Sequence, residues 1–369
     1  MKPTALLITA IFITGHSFAQ MDLPPNGGNP RATISEEVGI TSITVKYSRP
    51  DVNKREGKIY GDGNTVPYGF KEQSLVTGQN DAPWRAGANE ATTISFEHDV
   101  KVEGKDIKAG TYALFMAMGG DNVTLIFSNQ AGAWGSFSYD PKDDVLRVDV
   151  KPVALDKSVE WLKYEFIEYK QNSCTIAMQW EKISVPFTIT VDVDNIVVNS
   201  LRKAMTGNKS FIPALELQAA QYCLNKNINL EEALKWSKNA INGPGGQKTY
   251  ITLRNLAVAY EKLNRIPPAD STMNEALLIA TANQYTAYGR QLITQKRVDK
   301  AMEVLVASQK RYGDMFGVNN GLMSGYAAKG DFKNAIKYAE KAMAQAANDN
   351  AKKTLEGQIA KLKEGKDIN

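Results

Sequence analysis

Pro186-Phe-Thr-Ile-Thr-Val-Asp-Val-Asp-Asn-Ile-Val-Val-Asn-Ser-Leu-Arg-Lys-Ala-Met205 contains the change of rhythm that decides the fold. Up to Val191 an apolar side chain falls on every second residue, Phe187, Ile189 and Val191, with Thr188 and Thr190 between them. That is the period of a strand with one wet face. After Asp192-Val-Asp194-Asn195 the spacing becomes helical, and Ile196 to Met205 can start a helix behind an Asp or Asn cap. The chain is therefore expected to be β before this point and α after it.

Toward the N-terminus the period of two persists back to Arg31. Ile43-Val45-Tyr47, Thr92-Ile94-Phe96, Val123-Leu125-Phe127 and Leu146-Val148-Val150 alternate with polar or small partners such as Thr44, Lys46, Arg147 and Asp149. Turn signals separate them at Gly39, Glu103-Gly104-Lys105, Gly119-Gly120-Asp121, Pro141-Lys142-Asp143 and Gln171-Asn172-Ser173. About ten short strands follow, and the economical architecture is an antiparallel β-sandwich, with a jelly roll as one form of it. Pro50 to Pro83, rich in Gly, Pro, Asn and charge, is too long for a simple hairpin loop. Loops of that length are usually functional or disordered.

Toward the C-terminus a repeat emerges. Ala233, Ala269, Ala301 and Ala335 are spaced by 36, 32 and 34 residues, bracketing the TPR period. Leu224, Tyr260, Leu292 and Tyr326 precede them by nine residues, and Ala240, Ala276, Ser308 and Ala342 follow by seven. Small residues at these places let two helices approach closely, and the large one fills the groove. Lys329-Gly-Asp-Phe332 reads as the tight turn of one hairpin, Thr206-Gly-Asn-Lys-Ser210 as a break, and Asp349 to Lys363 as a final capping helix. An all-α TPR-like solenoid is expected, an irregular helical bundle being the alternative.

Ala5 to Ile13 is an apolar run too short to span a bilayer, behind Lys2 and ahead of Ser17-Phe-Ala19. The expectation is a signal peptide over residues 1–19 cleaved after Ala19, export to the periplasm or medium, and no transmembrane anchor. The expected organisation then runs through a mature N-terminal segment at 20–29, a β domain at 30–194, a linker with a first helix at 195–210, and repeats at 211–369.

Two histidines occur, and His16 lies in the expected leader, which leaves His98. One imidazole cannot build a two-His zinc site or a 2-His-1-carboxylate iron site, and a Ser-His-Asp arrangement would depend on a residue in a polar turn. No metal and no cofactor is expected. Cys174 and Cys223 either pair across domains or are two buried thiols. Residues 20–200 carry 18 Lys/Arg against 25 Asp/Glu, and residues 201–369 carry 25 against 15. The basic half suggests an acidic partner; the plainer alternative is a set of solvated helix faces. Nucleic acid is not expected, because the lysines are dispersed.

Pro30-Arg-Ala-Thr-Ile-Ser35, Tyr47-Ser-Arg-Pro50, Val66-Pro-Tyr-Gly69, Trp84-Arg-Ala-Gly-Ala-Asn-Glu-Ala-Thr92, Ala109-Gly-Thr-Tyr112, Asp144-Val-Leu-Arg-Val148 and Val159-Glu-Trp-Leu162 together resemble the exported bacterial family known as domain of unknown function 2911. The resemblance runs from about Pro30 to Val191 and implies no established activity. In that pattern the Val-Pro-Tyr-Gly and Trp-Arg elements lie close together, whereas here Phe70 to Pro83 intervenes.

Trp84-Arg85-Ala-Gly-Ala-Asn89-Glu90 sets an aromatic, a guanidinium, an amide and a carboxylate among small residues, a combination suited to polar ligand recognition. Arg49 and Tyr68 are candidates to join it, and Trp134 and Tyr139 offer stacking faces. The plainer reading makes Arg85 and Glu90 an ion pair pinning the loop. Catalytic carboxylates need a facing partner that sequence does not place for Glu90, and Asp140, Asp143 and Asp144 flank a turn without EF-hand spacing. Two functions follow. One is a non-enzymatic binding protein, its β domain holding a carbohydrate, peptide or small polar ligand and its repeats a protein partner. The other is an acid/base hydrolase using Glu90 and a loop Asp.

Overall fold

A computed structural model describes residues 28–206 and 212–369; the expected leader and most of the Thr206–Ser210 break lie outside the described residues. The chain forms two compact units, the first ending at Val197 and the second starting at Val198.

The first unit is an antiparallel β-sandwich. Strands β1 (Arg31–Val38), β2 (Thr41–Ser48), β3 (Thr92–Phe96), β4 (Val100–Val102), β5 (Lys105–Ile107), β6 (Gly110–Ala117), β7 (Val123–Ser128), β8 (Asp144–Val150), β9 (Val153–Lys170) and β10 (Ser173–Val191) make two sheets. One runs β1-β2-β3-β6-β7-β8 and the other β5-β4-β10-β9. The alternation read from sequence sets the inner face: Ile43, Val45, Ile94, Leu114, Met116 and Leu125 share one core with Ile176, Met178, Trp180, Phe187 and Ile189. β6 is buried on both faces, because Ala113, Phe115 and Ala117 meet a second cluster with Ile126 and Tyr139 on the outer side of the six-stranded sheet.

The expectation of uniformly short strands is corrected by β9 and β10, a hairpin of 18 and 19 residues. Cys174–Trp180 and Phe187–Val191 are one strand, not two. Glu181, at φ +51, forms a bulge between them, and the pairing register shifts on both sides of it. That bulge breaks the alternation that a reader of sequence would follow. β9 escaped notice because it is largely exposed and carries little apolar rhythm.

Pro50 to Pro83 is an ordered coil. Val52, Ile59, Val66 and Ala82 are fully buried, and isolated bridges tie Asp51 to Trp161, Tyr60 to Val66 and Glu72 to Ala82.

The second unit is a TPR-like array. Helix α1 (Val193–Met205), which belongs to this unit from Val198 on, is followed by hairpins α2/α3 (Pro213–Lys226, Leu230–Asn242), α4/α5 (Tyr250–Lys262, Ile266–Leu278), α6/α7 (Ala282–Thr294, Val298–Tyr312) and α8/α9 (Phe316–Ala328, Phe332–Ala344), then by α10 (Asp349–Lys363). α1 begins at Val193, earlier than the expected Ile196, with the Asp192 carboxylate accepting from the Asn195 N–H. Capping boxes Thr249/Thr252 and Thr281/Gln284 start α4 and α6. The four repeat alanines fall on α3, α5, α7 and α9, buried as the close-approach reading requires. Leu355 and Ile359 seat α10 on the last hairpin. Cys174 and Cys223 are both buried and form no disulfide.

Candidate functional site

Trp84 extends the line of β3 alongside β6: its backbone exchanges both hydrogen bonds with Met116, whereas Thr92 pairs with Leu114. Residues 85–91 therefore leave the sheet and return to it as a closed loop. The Thr92 N–H donates to Arg85 O, the Thr92 hydroxyl and the Tyr164 hydroxyl both donate to Ala86 O, and Trp84 Nε1 donates to Gly87 O. Gly87 is required by close approach, because a Cβ there would lie 2.8 Å from Thr92 Oγ1 and 3.0 Å from Ser48 O. Ala86 and Asn89 hold left-handed backbone at φ +53 and +59.

This loop forms one wall of an open cleft of about 410 Å³. Trp84, Arg85 and Asn89 line it with Asn29, Arg55, Glu72 and Trp180, among others. Trp84 and Trp180 stack at 6.1 Å with 20° between their planes and are almost wholly buried, so they form a base rather than open stacking faces. Arg55 is oriented by its bonds to Val52 O, Asp51 O and Thr65 Oγ1.

Arg85 is fixed on three sides. Nη1 donates to Asn89 O at 3.1 Å, Cζ lies 5.5 Å from the Phe137 ring centre, and the guanidinium rests over Gly135, where a Cβ would come within 2.6 Å of Nη1. Burial lowers its pKa, and the Glu72 carboxylate partly offsets this. The same burial raises the Glu72 carboxyl, against the pull of Arg85.

The other sequence candidates are dispersed. Glu90 is ion-paired with Arg31 at 2.5 Å and accepts from the Ser48 hydroxyl, so the Arg85–Glu90 pair considered from sequence does not form. Arg49 donates from Nε to Leu162 O and pins β2 to β9. Tyr68 is exposed beside Gly61. Trp134 is exposed at 60%, its backbone bridged to Glu90. Tyr139 is buried, packed edge-on against Phe115, and its hydroxyl donates to Asp144 and accepts from Arg147. Asp140 caps the turn at Pro141–Asp143, and Asp143 accepts from Gln130 Nε2. Among the described residues no group of three or more His, Cys, Asp or Glu is arranged to hold a metal ion.

Sequence reasoning missed Arg55, Glu72 and Trp180. The first two lie in the aperiodic segment, and Trp180 read as an ordinary core position of a strand.

These segments meet in one sandwich, and comparison with known families points to the same span. Residues 29–189 match the family described as Protein of unknown function (DUF2911). The DUF2911 region thus carries the whole cleft. Phe70 to Pro83, the segment that separates two motifs of the DUF2911 resemblance, folds back through the Glu72–Ala82 bridge and contributes Glu72 to the cleft. No curated protein matches the chain.

Solved structures similar to the chain include a TPR protein of Thermus thermophilus, at 18% identity over 46% of this chain and 90% of that one, TM-score 0.31. Another is YrrB, a TPR protein with an unusual peptide-binding site, at 16% over 45% and 89%, TM-score 0.30. A third is a tetratricopeptide repeat protein of Parabacteroides merdae, at 16% over 47% and 71%, TM-score 0.32.

Proposed function

We propose that this protein is an exported, non-enzymatic binding protein whose DUF2911 region holds a small polar ligand, a carbohydrate, peptide or metabolite, and whose repeats dock a protein partner. The observation that carries the ligand half is the cleft itself. Its charged and amide side chains, Arg55, Arg85, Glu72, Asn29 and Asn89, are gathered from separate segments onto a buried tryptophan pair. The partner half rests on the array of helical hairpins with its surplus of Lys and Arg, which favours an acidic partner. The acid/base alternative is less well supported. Glu90 is held by Arg31 and Ser48, and Glu72 is the one carboxylate among the described residues lining the cleft.

A glycan, peptide and metabolite panel titrated against the full chain tests the ligand half, with Arg85→Ala as the comparison. Binding that the substitution leaves intact would place the ligand elsewhere. Export is tested by N-terminal sequencing of the protein recovered from a Gram-negative periplasm, where a chain beginning at Gln20 is expected and one retaining Met1 would contradict it.

A further inference from the structure

The charges in the cleft wall narrow the ligand further; this rests on the cleft being the binding site. Arg85 and Glu72 both line it and influence each other electrostatically, yet no nitrogen of Arg85 comes within 4.0 Å of the Glu72 carboxylate. Each charge is partly withdrawn from water, and neither has the other as a direct partner. Arg85 is directed elsewhere, its guanidinium bonded to Asn89 O and set over the Phe137 ring.

The ligand that answers this arrangement carries opposite charges a short distance apart. A planar guanidinium matches a carboxylate, and Glu72 matches an ammonium. A neutral sugar offers no charge to either group, and a phosphate, though drawn to Arg55 and Arg85, would be opposed by Glu72. We infer that the cleft takes a small zwitterion of the α-amino-acid type, its carboxylate toward Arg85 and its ammonium toward Glu72.

Isothermal titration calorimetry on the full chain tests this. The probes are the free L-amino acids, their N-acetyl derivatives, their amides, and neutral monosaccharides. At least one free amino acid should bind more tightly than either of its blocked forms. Arg85→Ala should weaken it by about 10- to 100-fold, the worth of a hydrogen bond to a charged group, with Arg85→Lys retaining part of the affinity. Glu72→Gln should weaken the free amino acid while its N-acetyl form, an anion relieved of a like charge, binds no less tightly; melting curves establish that each variant is folded.

N-acetyl forms that bind as tightly as free ones, or a Glu72→Gln variant with undiminished affinity, would overturn the zwitterion while leaving the cleft as a binding site. Arg85-dependent binding confined to monosaccharides would do the same. If no probe binds in an Arg85-dependent way, the zwitterion and the cleft reading fail together.

Discussion

Lys296 ends the first helix of its hairpin at φ +63, a left-handed conformation that costs a residue with a Cβ about 1–2 kcal/mol. Asn227, Asn264 and Gly330 occupy the equivalent turns, so three of the four hairpins have a residue tolerant of it and this one does not. Lys296→Gly is expected to raise stability by about 1 kcal/mol in a urea titration; a lower midpoint would show that the lysine side chain matters more than its backbone. At Arg85 the question is what truncation leaves behind. Glu90 keeps Arg31, and Glu72 is only half-buried, so Arg85→Ala is expected to cost about 1 kcal/mol. A loss of about 3–5 kcal/mol, the cost of stranding a buried charge, would mean Arg85 is chiefly structural. The Trp84–Glu90 cluster was legible because such a density of polar recognition groups among small residues is unusual. Its partners were not: Arg31, Glu72 and Trp180 lie in segments far apart in the chain, and nothing in the spacing of Glu90 favours Arg31 over Arg85.

Among the elements, α6, α7 and α8 meet around a single side chain. Leu305 of α7 fills the space left by Gly289 of α6 and by Gly321 and Gly325 of α8, and a Cβ on Gly289 would fall 2.7 Å from Leu305 Cγ. With glycines on three sides, Leu305 has little room to retreat. Gly289→Ala should gain about 1 kcal/mol of helix propensity and lose about 1–3 kcal/mol to overpacking, and combined with Leu305→Ala it should cost less than the sum of the two single substitutions. Additive losses in the double mutant would contradict this packing. The repeat alanines gave the hairpin register away in sequence because small residues recur wherever helices touch. The cross-repeat ion pairs were harder to see: Arg265–Glu231, Arg297–Asp270 and Lys329–Asp299 recur in successive hairpins, but only the cations keep a constant spacing of 32 residues. In the β unit the bulge at Glu181 hid the length of β10, since one extra residue inverts the alternation on which strand reading depends.

At the scale of the molecule, each unit has its own core, and Val198 of α1 belongs to the second. Fragments 28–197 and 198–369, made separately, are therefore expected to give β and helical circular dichroism respectively; an unfolded fragment would show that its core does not suffice alone. The β unit should also be sensitive to alkali. Burial pushes the Cys174 thiol from its ordinary 9.0 up to about 11 and raises the phenols of Tyr60 and Tyr164. The folded state holds these protons more tightly than the unfolded chain, so their contribution is complete below the ordinary thiol and phenol values and is lost as pH climbs through the folded ones. Alkaline melting of fragment 28–197 checks the sign, and a stability that rose through this range would refute it. The division into β and α units was legible because a period of two and a helical period cannot be confused over long runs. The cleft was not, because it is assembled by an aperiodic segment. The most direct test of that cleft is the set of indole N–H resonances of the full chain, recorded while the pooled free amino acids are added. The signals of Trp84 and Trp180 should shift while that of Trp236, in the repeats, stays in place; a shift confined to Trp236, or no shift at any tryptophan, would contradict the account.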